Sequence, residues 1–231
     1  MTTLGVLIIT AWCAAAYLVG SIPFGYLLGR AKGVDIREAG SRNIGATNCW
    51  RVCGWPYGLT AFVLDVAKGF GATFVAYKMV ELCPLFSGLS EPTRYLVIVL
   101  AGAAAIAGHV FPMYLRFRGG KAVATSLGVF LGIPAMLPFA AGAFAVWLIV
   151  FAATRYVSVA STVAALAFGT LALTVEPWTV HFDPAGAWRD RWPLTVAAVL
   201  LVVLVLYRHR ENYARLRAGT ENKFRSGKKS G

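Results

Sequence analysis

Three basic, glycine-rich clusters hold the residues that could do chemistry in this chain. The first, at 30–55, reads RAKGVDIREAGSRNIGATNCWRVCGW. In it Gly33, Gly40 and Gly45 interleave with Ser41, Asn43, Thr47 and Asn48. Glycine lets backbone amides turn toward a ligand and approach it closely, and converging amides form a concave anion site. Arg42 and Arg51 add positive charge. A phosphate group asks for this composition, although a plain glycine-rich turn between helices shares it. The lysine and spacing of a Walker A loop are missing. The second cluster, HVFPMYLRFRGGKAVATS at 109–126, sets Gly119, Gly120 and Lys121 directly before a helical run. A helix N-terminus favours anions. Membrane-flanking charge accounts for Arg116 and Arg118, but not for the paired glycines. The third begins RHRENYARLRAGTENKF at 208. Its His209 and Asn212 are three apart, on one helical face. By composition alone it is a basic helix at a membrane surface. A short loop, RYVSVAS, adds Arg155 and Ser158.

The elements that must position these residues are membrane helices. Of 231 residues, 58% are hydrophobic and 14% charged, with a mean hydropathy of +0.65. An average soluble domain is nearer ~45–50% apolar and ~25% charged. Despite a net charge of +12, this composition excludes a soluble nucleic-acid-binding domain. The aromatic content excludes disorder. Cys13, Cys49, Cys53 and Cys83 match no metal-binding or disulfide spacing, and no metal site is expected.

A bilayer core needs roughly 17–25 apolar residues per helix. Seven runs qualify: 4–28, 57–80, 95–113, 122–137, 139–154, 157–175 and 193–207. The fourth is short and ends at Pro134 and Pro138. With the N-terminus outside, 17 of the 22 basic residues fall in inside loops or the tail, as the positive-inside rule requires. All three clusters then share the inside face. Trp178, Trp188 and Trp192 are expected as interfacial anchors. Within the second span, Asp65 and Lys68 are expected to support the glycine-rich 30–55 loop, since paired charges inside a membrane are usually functional or self-neutralising. The expectation is one membrane-embedded domain over 1–231, with a basic tail at 208–231. It is all-α, with about seven transmembrane helices and a cytoplasmic C-terminus. An enzyme acting on phosphorylated substrates at the inner leaflet fits best. A transporter of anionic lipids or phosphate compounds is the alternative, though transporters place polar groups near the midplane.

In order along the chain, GSIPFGYLLGR, GVDIREAGSRNIGATNCWR, AGHVFPMYLRFRGGKAVATSLG, RYVSVAS and RHRENYARLRAGTENKF resemble the motifs of the bacterial acyl-phosphate:glycerol-3-phosphate acyltransferases, the PlsY family. Arg42 and Ala122 stand where that family often has glycine. The resemblance implies acyl transfer from acyl phosphate to the sn-1 hydroxyl of glycerol-3-phosphate, giving lysophosphatidic acid and phosphate for phospholipid synthesis. It implies a multi-pass protein of the bacterial inner membrane among membrane lipids, with no cofactor and no obligatory protein partner. By position, Ser41, Asn43, Gly45, Ala46, Thr47 and Asn48 would cradle phosphate through backbone amides, beside Gly119 and Gly120. Ser41, Arg51, Lys121 and Ser158 would bind the two phosphates. His209 and Asn212 would hold the glycerol. Either a substrate phosphate, with a second pKa near ~6, or His209 would take the hydroxyl proton.

Overall fold

The computed structural model of the chain describes residues 2–175 and 187–224, with side chains from residue 190 onward in the second stretch. Trp178, the side chain of Trp188 and the tail beyond 224 lie outside the described residues.

Ten α-helices follow in order among the described residues: α1 (Thr3–Gly20), α2 (Phe24–Ala31), α3 (Ala46–Cys53), α4 (Trp55–Leu82), α5 (Glu91–Val110), α6 (Val123–Leu131), α7 (Leu137–Thr154), α8 (Val157–Thr174), α9 (Ala187–Arg208) and α10 (Arg210–Arg217). No strand occurs among these residues. The all-helical membrane architecture expected from hydropathy is present. Among the described residues, six segments are long and apolar enough to cross a bilayer: Thr3–Ala31, Trp55–Leu82, Glu91–Leu115, Pro134–Thr154, Val157–Thr174 and Asp190–Arg208.

The fourth expected run differs. It divides into α6, a 3-10 turn at Pro134–Met136 and the start of α7. At about 1.5 Å per residue, α6 spans roughly 14 Å, half a hydrocarbon core. Proline lacks a donor and clashes with the preceding turn, so Pro134 breaks what hydropathy reads as one run, while Pro138 sits in the first turn of α7, where proline is tolerated. The first run also breaks, at the 21–23 turn between α1 and α2. Ser21 Oγ there donates to Tyr17 O at 2.8 Å.

Bare backbone contact lets the short α6 sit against α4. A Cβ on Gly128 would run into Val66 O, and one on Gly69 into Thr125 O. Small residues allow such approach where no hydrophobic force separates helix from lipid. Thr73 Oγ1 adds a 2.8 Å bond to Val129 O. The main core, including Ile98, Phe130, Phe139, Phe168 and Leu194, then joins α5 to α9. These contacts bring the starts of α6 and α8, the end of α9, and α10 together. Replacing Gly128 by Ala should destabilise the detergent-solubilised protein by about 1–3 kcal/mol. Thermal unfolding measures this. Gly71→Ala, on α4 with open space at its Cβ position, should leave the midpoint unchanged or raise it.

Candidate active site

Where these helix ends meet, four stretches of chain interlock through polar side chains. Lys121, two residues before α6, donates its ammonium to Asn212 Oδ1 on α10. Asn212 Nδ2 donates to Glu221 Oε1 at 2.6 Å. Ser158, in the first turn of α8, donates to the same oxygen at 3.0 Å. Arg215 Nε closes the set on Glu221 Oε2 at 2.8 Å. The strap that carries Glu221 continues over the site. Its Phe224 amide donates to Arg155 O at 2.8 Å, and its ring meets Trp50 and Phe151 edge-on. Arg51, on α3, donates to Asn222 O at 3.2 Å. Arg51, Lys121, Ser158 and Asn212 are thus gathered, as expected.

His209 sits between α9 and α10 and is 1% exposed. Its Nδ1 lies 2.8 Å from Val205 O. A carbonyl only accepts, so Nδ1 carries the hydrogen and Nε2 is left as an acceptor. Burial, reinforced by the Lys121 charge, pushes the imidazole pKa down to about 4. Burial likewise lowers the Lys121 ammonium to about 8, against the opposing pull of Glu221. Arg51 is also lowered, chiefly by burial. For Glu221, burial pushes the carboxyl up, but the donors Asn212, Arg215 and Ser158 outweigh it and leave the group below its ordinary value.

The glycine clusters work differently from expectation. The Gly119 and Gly120 amides are already spent on Val110 O and His109 O, each at 3.1 Å, so they are not phosphate donors. Their lack of side chains is what matters. A Cβ on Gly120 would strike the His109 ring, and one on Gly119 would strike His109 O. Arg208 Nη2 pins the glycines' own carbonyls, at 3.3 Å to Gly119 O and 2.7 Å to Gly120 O. Beneath this turn, Lys68 Nζ lies 2.7 Å from Asp65 Oδ1, and His109 Nδ1 lies 3.6 Å from that oxygen. Lys68 also donates to Ile22 O at 2.9 Å. Asp65 and Lys68 therefore support the Gly119–Gly120 turn through His109, and the α1–α2 turn.

In the 41–48 loop, Asn48 is a brace. Its Nδ2 serves Ile36 O (2.8 Å), Ala39 O (3.1 Å) and Asn43 O (2.9 Å), while Oδ1 accepts from the Ser41 amide at 2.8 Å. The Gly45 amide donates to Asn43 Oδ1 at 2.9 Å. That leaves the amides of Asn43, Ile44, Ala46 and Thr47, the last two being the first of α3, which have no intrahelical acceptor. Arg42 and Ala122 both have left-handed backbone, at φ 57° and 59°. Side chains rarely adopt this conformation, which explains why glycine suits those two positions.

Sequence reasoning missed Glu221 and Arg215, absorbed into a stretch noted for its basic residues. A carboxylate in a cationic run was the available signal. It also missed an apolar cleft between α6, α7, α8 and α9. The cleft is lined by Val123, Phe130, Trp147, Phe168, Leu201 and Val205, among others. Val205 is the residue whose carbonyl holds His209, so the cleft opens beside the polar cluster.

The family model described as Glycerol-3-phosphate acyltransferase matches residues 10–219. The chain belongs to the glycerol-3-phosphate acyltransferase family. A glycerol-3-phosphate acyltransferase of Geobacter sulfurreducens is 42% identical over 214 residues, covering 92% of this chain and 96% of that protein. One of Geobacillus kaustophilus is 44% identical over 217 residues, covering 93% and 96%. The crystal structure of PlsY, an integral membrane glycerol 3-phosphate acyltransferase, in its glycerol 3-phosphate form is similar at a TM-score of 0.76 and 35% identity. The match covers 94% of this chain and 96% of that one. The lysophosphatidic acid form matches at 0.73. Membership accounts for the order of the motifs along the chain.

His209 stays neutral in the fold down to about pH 4, but in the unfolded chain only down to about 6.5. The unfolded state therefore takes up this proton first, and stability falls as pH drops from about 6.5 toward 4. Thermal unfolding in detergent at pH 7.5 and 5 should show that loss. His209→Gln should reduce it.

Proposed function

We propose that the protein transfers the acyl group of acyl phosphate to the sn-1 hydroxyl of glycerol-3-phosphate, in phospholipid synthesis at the bacterial inner membrane. The observation that carries this is a half-buried cationic cluster at the mouth of an apolar cleft. One molecule that unites a phosphate and a fatty chain at such a junction is an acyl phosphate. The chain would lie in the cleft. Arg51, Lys121, Ser158 and Ser41, with the first amides of α3, would hold the phosphates of the two substrates.

The hydroxyl oxygen attacks the acyl carbon, and the carbonyl π pair moves to oxygen. Collapse of that oxyanion breaks the bond to the phosphate oxygen and releases phosphate. The hydroxyl proton leaves on a phosphate oxygen. His209, neutral and with a pKa of about 4, is a weak base at pH 7. Its Nε2 suits accepting from the attacking hydroxyl and orienting it beside Asn212. Proximity and charge stabilisation supply the catalysis, because the donor is already activated.

The basic residues on the site side support an N-terminus outside and the site inside, by the positive-inside rule. In this topology α6 is a shortened seventh pass. It starts beside Gly69, 14 residues and about 21 Å along α4 from Trp55. The site is thereby recessed from the membrane surface toward the acyl chains.

Purified protein in detergent, given acyl phosphate and glycerol-3-phosphate, should release phosphate and form lysophosphatidic acid. A transporter would do neither. Lys121→Ala should cut kcat/KM by about 100-fold or more, the scale of losing one transition-state donor. The free-enzyme profile of kcat/KM should also fall above pH 8 as Lys121, with its pKa of about 8, loses its charge. Lys121→Arg should move that limb out of range if it folds.

A further inference from the structure

α6 presents Val123, Ser126, Leu127 and Phe130 to the apolar cleft. Ser126 is the anomaly among them. It is 3% exposed, and its hydroxyl has no hydrogen-bond partner. A mid-helix serine commonly bonds back to the carbonyl four residues earlier. Here no such bond forms: Ala122 O takes the Ser126 amide at 2.7 Å, and the hydroxyl of this cleft-lining residue is left unmet. The cleft's other hydroxyl, Ser161 Oγ, is occupied, accepting from Trp147 Nε1 at 3.1 Å. Thr125 also lacks a partner, but it does not line the cleft.

A buried hydroxyl without a partner is costly unless something arrives to meet it. A hydrocarbon chain offers nothing. An acyl donor carries one further polar atom, the carbonyl oxygen, where the chain joins the phosphate. Ser126 stands at the corresponding place. It lies five residues from Lys121, which faces the polar cluster, and one helical turn before Phe130. At the deep end, Phe130 and Phe168 rings meet at 4.5 Å.

We propose that Ser126 is a substrate-contacting residue whose hydroxyl donates to the carbonyl oxygen of the acyl donor and to the oxyanion formed from it; this rests on the acyl-transfer reading above. As the glycerol hydroxyl adds to the acyl carbon, the π pair localises on that oxygen and the hydrogen bond strengthens. It weakens again when the phosphate–carbon bond breaks and the ester carbonyl re-forms. A donor aimed at developing charge in a water-excluded site is worth most in the transition state. Ser126 itself neither gains nor loses a proton overall.

Ser126→Ala should lower kcat with acyl phosphate 10- to 100-fold and leave KM for glycerol-3-phosphate within about twofold. Its unfolding midpoint should be equal to or above that of the wild type, since an unmet buried hydroxyl has gone. Ser126→Thr, which keeps a hydroxyl, should recover part of kcat. A structural serine would give the reverse pattern, a lowered midpoint with kcat intact. A Ser126→Ala protein that unfolds, or one that is folded and turns over at the wild-type rate, overturns the proposal. Absence of phosphate release by the wild type itself would instead defeat the acyl-transfer reading and this one with it.

Discussion

One carboxylate, Glu221, holds the site together. It accepts from Ser158 at the start of α8 and from Asn212 and Arg215 on α10. Asn212 passes the tie on to Lys121 before α6. Arg51, on α3, reaches the same strap one residue further on, at Asn222 O. Groups from distant parts of the chain are thereby fixed around one anion. That anion is outnumbered. Arg51, Lys121 and Arg215 press on it, and burial depresses the Arg51 and Lys121 cations. A cluster with an uncompensated positive charge in a poorly hydrated place gains from a further anion. Substrate phosphate fits that requirement.

The lipid sets the second constraint. Apolar solvent gives no hydrophobic drive between helices, so packing rests on small residues and satisfied polar groups. Gly69 and Gly128 let α4 and α6 touch backbone to backbone, and that contact sets where α6 begins. The buried group of Asp65, Lys68 and His109 lies under the Gly119–Gly120 turn, at the same depth. Charges in a membrane persist when they are paired and useful. These three brace the backbone that delivers Lys121, with Arg208 holding it from the other side.

Much of this was legible in the residues. Hydropathy located the long helices, because a span of lipid imposes its length on the sequence directly. The gathering of Arg51, Lys121, Ser158, His209 and Asn212 followed from charge placement and the motif order. What escaped has physical causes. The break at α6 depends on Pro134 and on contacts with α4, which hydropathy averages away. Glycines at 119 and 120 look alike as amide donors and as space for a neighbour, and only the contact with His109 separates the two. Asn48 reads as a ligand in a polar loop until its four bonds to backbone are seen. The apolar cleft is assembled from four helices, so no single stretch of sequence announces it.

Through the bond between them, Lys121 and Asn212 are proposed to act as one glycerol-3-phosphate-binding unit, the ammonium on phosphate and the amide on glycerol. A double-mutant cycle on the affinity for glycerol-3-phosphate tests it most directly. Calorimetry would give dissociation constants for wild type, Lys121→Ala, Asn212→Ala and the double variant in detergent. Residues within one network couple by about 0.5–3 kcal/mol. The account predicts coupling of at least ~1 kcal/mol, with the double variant weakened little beyond the worse single one. Strictly additive losses would contradict it.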